Sequence, residues 1–209
     1  WSSRGFYENR KEQNSLAAIN RAFSLGAKGV EIDFYYDVKS DRFIVSHDKP
    51  KKGKDGELIY QEKEGKILTL ASVFDQIPSS QHFWLDYKNL DRLDEGATQS
   101  AVKRMQFITE QTGFKQQVYI EGSNPIILAN YTRAGFHTIL GIHPLPQGNW
   151  LSGLSSSIYK LAYYFNDITA LAMPYGELNN PTYSEHAGDA LSSIPLFVFH
   201  VPVNRALIQ

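Results

Sequence analysis

The sequence predicts an α/β chain folded as a TIM-like (β/α) barrel that lacks an eighth βα unit, and three observations carry that expectation. Strand-like and helix-like runs alternate along the whole chain, the pattern of repeated β-then-α units over a parallel sheet. Most strand-like runs are apolar throughout, as strands covered on both faces are. Seven such runs can be placed, which suits a barrel of eight with one missing better than an open sheet. An open doubly wound sheet is the alternative.

The first strand lies near Trp1 to Phe6. Ser15 to Leu25 reads as a helix, with Leu16, Ile19, Ala22 and Phe23 at helical spacing and Gly26 just past its end. Strand two is Gly29 to Tyr36; Asp37 to Arg42 turns the chain, and Phe43 to Ser46 returns as a hairpin. The polar stretch Lys49 to Lys66 reads as a loop, after which Thr69 caps a helix through Phe74 to Ile77. Strand three is Phe83 to Tyr87, followed by a helix from Asp94 to Thr112 that stops at Gly113. Val118 to Ile120 is strand four, Pro125 to Ala134 a helix closed by Gly135, and His137 to Ile142 strand five. A helix from Leu154 to Phe165, strand six at Ile168 to Met173, a helix at Ser184 to Leu191 and strand seven at Leu196 to Val201 complete the order.

At 209 residues the chain suits one domain, 1–209, with the missing unit making it C-terminally incomplete as a barrel. Its 42% hydrophobic and 21% charged content is ordinary for a globular protein. A net charge of −1 gives no global field for nucleic acid or anionic lipid, and Lys49 to Lys54 reads as a local, solvated basic run. The absence of cysteine excludes disulfides and thiolate metal sites. No apolar run reaches membrane-spanning length. Because the chain opens on Trp1 and not Met, either an N-terminal segment was removed, which would fit an exported protein, periplasmic or secreted, or the sequence starts inside a longer protein; the residues leave the compartment open.

Within strand two, Glu31 and Asp33 are two apart and so project to one face, with Val30 and Ile32 on the other. Neighbouring carboxylates repel unless a cation sits between them, and hard oxygen donors suit Mg²⁺ or Ca²⁺; the alternative is a pair of exposed strand acids. In strand three Asp86 and Lys88 share a face in the same way, as a plain ion pair or as a metal ligand beside a phosphate-binding cation. Arg4, Glu31, Asp33, Asp86, Lys88, Glu121, Ser123, His143, Met173, Tyr175 and His200 all fall near the C-terminal ends of strands, where a barrel of this kind places its chemistry.

Ser3-Arg4-Gly5, Gln13 to Ala18, Gly26 to Asp33 and Val45 to Asp48 resemble, in order and spacing, the His-Arg-Gly, Glu-Asn-Thr, Gly-Val-Glu-x-Asp and His-Asp pattern of the glycerophosphodiester phosphodiesterase family, among the phosphatidylinositol phospholipase C-like TIM-barrel phosphodiesterases. Leu85 to Lys88 is similar to that family's Glu-x-Lys strand, and Val198 to Asn204 loosely resembles its Trp-Thr-Val-Asn strand. The resemblance implies one divalent cation, Mg²⁺ or Ca²⁺, on Glu31, Asp33 and Asp86, with Arg4 and Lys88 binding phosphate and His47, together with Arg4, in the catalytic set. At the Asp86 position that family usually has Glu, and the related venom phospholipase D group has Asp. It implies hydrolysis of a small-molecule or lipid-derived phosphodiester containing glycerol. Two positions depart from the pattern: Ser3 stands where the family has its first catalytic His, and Gln13 where it has Glu. Losing one imidazole of an acid–base pair costs on the order of 10²–10⁴ in rate unless another group, such as His143 or His200, replaces it. His82, His137 and His186 read as loop or helix-flank residues. The competing expectations are a catalytically impaired member that binds phosphate esters, and a phospholipase D-like enzyme with Phe6, Tyr7, Tyr35, Tyr36 and Trp150 on a lipid-facing rim.

Overall fold

Strand β1 is only Ser2–Ser3, shorter than the sequence predicts, because Arg4 and Gly5 leave the extended region at φ 58° and 81°. This computed structural model describes residues 1–63, 65–145, 149–174 and 191–201. After a 3-10 turn at Arg10–Glu12 comes α1 (Leu16–Ser24), whose N-cap Ser15 accepts from the Ala18 amide. Strands β2 (Gly29–Asp37) and β3 (Arg42–Val45) form an antiparallel hairpin. A second, two-residue hairpin, β4 (Lys51–Lys52) with β5 (Leu58–Ile59), interrupts the stretch expected to be loop. Its turn runs from Gly53 to Gly56, the Gly56 amide donating to the Gly53 carbonyl at 3.1 Å, with Gly56 at φ 76° in the left-handed position that follows such a turn. Helix α2 (Leu70–Phe74) opens on a capping box between Thr69 and Ser72. There follow β6 (His82–Tyr87), a 3-10 turn at Leu90–Arg92, α3 (Glu95–Thr112), β7 (Val118–Gly122), α4 (Pro125–Arg133), β8 (His137–Gly141), α5 (Ser152–Phe165), β9 (Ala170–Pro174) and β10 (Leu196–Phe199).

The sheet runs β1-β2-β6-β7-β8-β9-β10, every neighbour parallel, with β3 attached antiparallel to β2. Strand order follows chain order with no reversal, so the sheet is a curled, part-closed barrel and not a doubly wound sheet. Among the described residues no strand bridges β10 and β1. Trp1 lies at that opening, its ring 5.8 Å from Phe197 and 5.7 Å from Tyr119, both edge-on.

Strand alternation sorts two cores. Val30, Ile32, Phe34, Phe83 and Leu85 face outward into the main cluster, packed with Ile19, Met105 and Leu128 of the helices. The inward face carries a smaller cluster of Trp84, Ile139, Ala170 and Ala172, with Tyr119, Phe197 and Phe199 against it. His82 and His137 open β6 and β8 and do not sit in loops; His137 stacks on Tyr119 at 4.9 Å. The expected Ser184 to Leu191 helix (save Leu191), Tyr175, His186 and the part of Val198 to Asn204 beyond Val201 lie outside the described residues. No described helix is long and apolar enough to cross a membrane.

Among the described glycines, Gly5 combines a positive φ with backbone crowding. A Cβ there would sit 2.6 Å from the Ala18 carbonyl carbon and 2.7 Å from its oxygen, at a φ that L residues avoid. Gly5→Ala is expected to cost upwards of roughly 1–3 kcal/mol. Thermal denaturation checks this, and a wild-type melting temperature would show that the β1–α1 connection shifts freely.

Candidate active site

Alternation on β2 turns Glu31 and Asp33 into the barrel, and the parallel register with β6 sets Trp84 beside Glu31 and Asp86 beside Asp33. One oxygen from each of Glu31, Asp33 and Asp86 lies within 4.8 Å of the others. Asp33 is fully buried. Its Oδ2 accepts from Asn14 Nδ2 at 2.8 Å, and its own amide donates to Asn14 Oδ1 at 3.1 Å. Two cations converge on the same carboxylate: Arg4 Nε is 2.9 Å from Oδ2 and Lys88 Nζ 2.6 Å from Oδ1. Both are charge contacts to a carboxylate with no solvent exposure. Lys88 also pairs with Asp86.

The β1–α1 connection is shaped to deliver Arg4 and Asn14. Both adopt left-handed backbone, φ 58° and 59°, and the Asn14 amide donates to the Arg4 carbonyl at 3.0 Å. The Arg4 amide in turn donates to the Glu31 carbonyl at 2.8 Å, tying the bend to β2. Arg4 Nη1 donates to Gln13 Oε1 at 3.3 Å, so the Gln at that position still holds the guanidinium. Ser3 Oγ donates to Glu31 Oε2 at 2.6 Å.

Negative charge is in excess here. Burial pushes the Glu31 carboxyl up to about 7, with Asp33 adding to the rise. Burial also raises Asp86, against the pull of Lys88. For Lys88, burial opposes the charged form, but Asp86 and Asp33 outweigh it and hold the ammonium above the ordinary lysine range. Glu121 of β7 is a fourth acid, level with Asp86 in the register; burial pushes it up to about 8, Asp86 adds to this, and Trp84 Nε1 donates to its Oε2 at 2.6 Å. The sequence marks Glu121 only as a strand-end polar residue. Period-two alternation would have put it inside the barrel, but its level beside Asp86 depends on strand register.

These groups line a cavity of about 610 Å³ at the C-terminal ends of the strands, with Arg4, Glu31, Asp86, Lys88 and Glu121 on its wall and the buried Asp33 level with Asp86 in the register. His200 also lines it. His47 does not: its ring, 42% exposed, sits on the rim after β3 with Nδ1 3.1 Å from Asp48 Oδ1. The preceding residue anchors that rim, Ser46 donating its amide to the Asp33 carbonyl at 3.0 Å. Ser123 donates to Asp91 at 2.7 Å, the His143 amide to the Tyr159 hydroxyl at 3.4 Å, and Met173 is buried. Of the aromatics considered for a rim, Tyr35 and Tyr36 are buried, whereas Phe6 and Trp150 are exposed.

No family model and no curated protein matches this chain. Solved structures do. A glycerophosphodiester phosphodiesterase from Thermotoga maritima superposes with a TM-score of 0.69 at 20% identity, over 99% of this chain and 86% of its own. One from Parabacteroides distasonis gives 0.71 at 15% identity, over 99% and 85%. One from Agrobacterium tumefaciens gives 0.62 at 13%, over 94% and 84%. With its sequential parallel strands and near-complete coverage, the fold of this chain is that of the glycerophosphodiester phosphodiesterase barrels.

Proposed function

We propose that the chain is a metal-dependent phosphodiesterase acting on a glycerol-containing phosphodiester, a glycerophosphodiester or a related phospholipid head group. The observation that carries this is the convergence of Glu31, Asp33 and Asp86 within 4.8 Å beside Arg4 and Lys88, in a fold shared with solved glycerophosphodiester phosphodiesterases.

The donor set fits one divalent cation. Four carboxyls (Glu31, Asp33, Asp86, Glu121) face two cations (Arg4, Lys88), so full ionisation leaves two negative charges unmatched, and all the free donors are hard oxygens. Glu31, Asp33 and Asp86 would hold the ion. When bound, Mg²⁺ or Ca²⁺ supplies Lewis-acid polarisation of a phosphate oxygen.

The chain's own residues do the rest. Arg4 and Lys88, both on the cavity wall, stabilise the charge that develops on the phosphoryl oxygens as the nucleophile adds. Asp33 holds both cations, and Ser3 orients the Glu31 carboxylate. His47, with Asp48 orienting its ring, moves a proton for substrate seated at the rim. One observation favours a second reading, a phosphate-ester binding protein without turnover: the serine at position 3, where the resembling family carries an imidazole.

Incubating the purified protein with a glycerophosphodiester and with a chromogenic phosphodiester separates these. The expected result is hydrolysis with Mg²⁺ or Ca²⁺ that a chelator abolishes and added metal restores. Binding of a phosphate ester with no metal-dependent turnover would establish the second reading instead.

A further inference from the structure

One imidazole reaches the cavity wall. Among the described residues His200 is the histidine that lines the cavity with Arg4, Glu31, Asp86, Lys88 and Glu121. It follows β10, the strand at the open edge of the sheet, so it and the β1 residues bound the same space from either side of the opening. Its side chain is exposed, and its ring meets Phe199 edge-on at 5.0 Å. Its backbone is left-handed at φ 57°, a conformation uncommon for residues with side chains and concentrated at functional sites. The other described histidines stand elsewhere. His47 pairs with Asp48 on the rim, His82 and His137 begin β6 and β8 at the opposite end of the barrel, and His143 is not on the cavity wall.

Cleaving a phosphodiester at an alkyl oxygen needs a proton at that oxygen. The electron pair of the breaking P–O bond passes to the leaving oxygen, and an alkoxide is too basic to depart readily near neutral pH. The cavity's cations do not supply this proton: Lys88 is fixed between Asp33 and Asp86, and Arg4 stays a guanidinium.

We infer that His200 is a catalytic residue, the proton donor to the leaving alcohol, an inference that rests on the phosphodiesterase reading. As the attacking hydroxyl forms its new P–O bond and releases its proton to a base or to water, the imidazolium N–H of His200 gives its proton to the departing oxygen. The products are a neutral alcohol and a neutral imidazole, which is reprotonated from solvent before the next turnover.

His200→Asn tests this, because Asn accepts the left-handed backbone and cannot donate a proton as an acid. Wild type and variant are assayed with metal on two diesters, one releasing glycerol and one releasing p-nitrophenol, which departs without protonation. The expected kcat falls by about 10²–10⁴ on the first substrate and by less than roughly tenfold on the second, with KM and melting temperature little changed. An unchanged kcat on the glycerol-releasing diester, or equal losses on both, would overturn the assignment while leaving the phosphodiesterase reading standing. Wild-type protein inert on both diesters with metal would overturn that reading, and the role of His200 with it.

Discussion

Asp33→Ala is expected to abolish hydrolysis and to destabilise the fold by about 3–5 kcal/mol, the range for removing one partner of a buried ion pair. The Asp33 side chain has no solvent exposure, and it is the common counter-charge for Arg4 and Lys88. Without it Arg4 loses its carboxylate, Lys88 keeps only Asp86, and the two hydrogen bonds that Asn14 shares with residue 33 are reduced to the one made by the backbone amide. Activity suffers twice over. The cations that face the phosphate lose their fixed positions, each such contact being worth about 10²–10³ in rate, and one of three candidate metal donors is gone. Asp33→Asn separates the two effects: it keeps the shape and the Asn14 contact but not the charge, so activity should fall about as far while part of the stability returns. Glu110→Ala is the control, because its pair with Lys115 is largely solvent-exposed, lies off the cavity wall and is worth less than about 1 kcal/mol. Chemical denaturation with parallel hydrolysis assays reads all three. An Asp33→Ala protein as stable as wild type would show that Arg4 and Lys88 find other partners, and the account of this site would fail.

The part of this site that was legible in the sequence is the part set by local periodicity. Two-residue spacing on β2 and β6 is enough to place Glu31 with Asp33 and Asp86 with Lys88 on shared faces. Register between strands is not local. Nothing in Phe83 to Tyr87 says that Asp86 lies level with Asp33 on one side and Glu121 on the other, and that levelling is what makes the acids a cluster. The left-handed bends at Arg4 and Asn14 are equally silent, since the ties that hold them run between the two residues themselves and out to Glu31 and Asp33 on β2. Adjacent aromatics were ambiguous for the same reason. Tyr36 is buried, with its hydroxyl bonded to Asp41 at 2.5 Å, and Tyr35 is buried against Tyr60, contacts that require the β2–β3 hairpin and the loop after β5. His47 stands one residue beyond the Ser46–Asp33 tie, close in sequence to the site, yet its ring direction is set by Asp48.

Metal-free protein is expected to become less stable as pH rises, the reverse of ordinary acid denaturation. Glu31 and Glu121 have carboxyls raised by burial and by neighbouring acids, to about 7 and about 8 from the ordinary 4.5. Below 4.5 the folded and unfolded chains both hold these protons, and the groups cost nothing. Above it the unfolded chain ionises first and binds fewer protons than the folded one, so stability drains away until the folded groups ionise in turn near 7 and 8. For Glu31 alone the loss is on the order of 3 kcal/mol, and each kcal/mol moves the melting temperature of a chain this size by about 2–4 °C. Asp41, which Arg104 holds below the usual carboxylate range, works in the opposite sense but only at the acid end. A divalent cation should reverse the alkaline loss, because it binds the ionised carboxylates and must displace protons from the others. Its stabilising effect should therefore be small near pH 5 and large above pH 8 on the scale set by those two carboxyls, and Glu31→Gln should flatten the pH dependence and shrink the metal effect together. Thermal melts across pH with chelator, Mg²⁺ or Ca²⁺ measure this directly. A metal-free melting temperature that climbs steadily to pH 9, or a cation effect equal at both ends, would mean that the four acids do not share an unneutralised charge, and the case for a metal at this site would lose its physical basis.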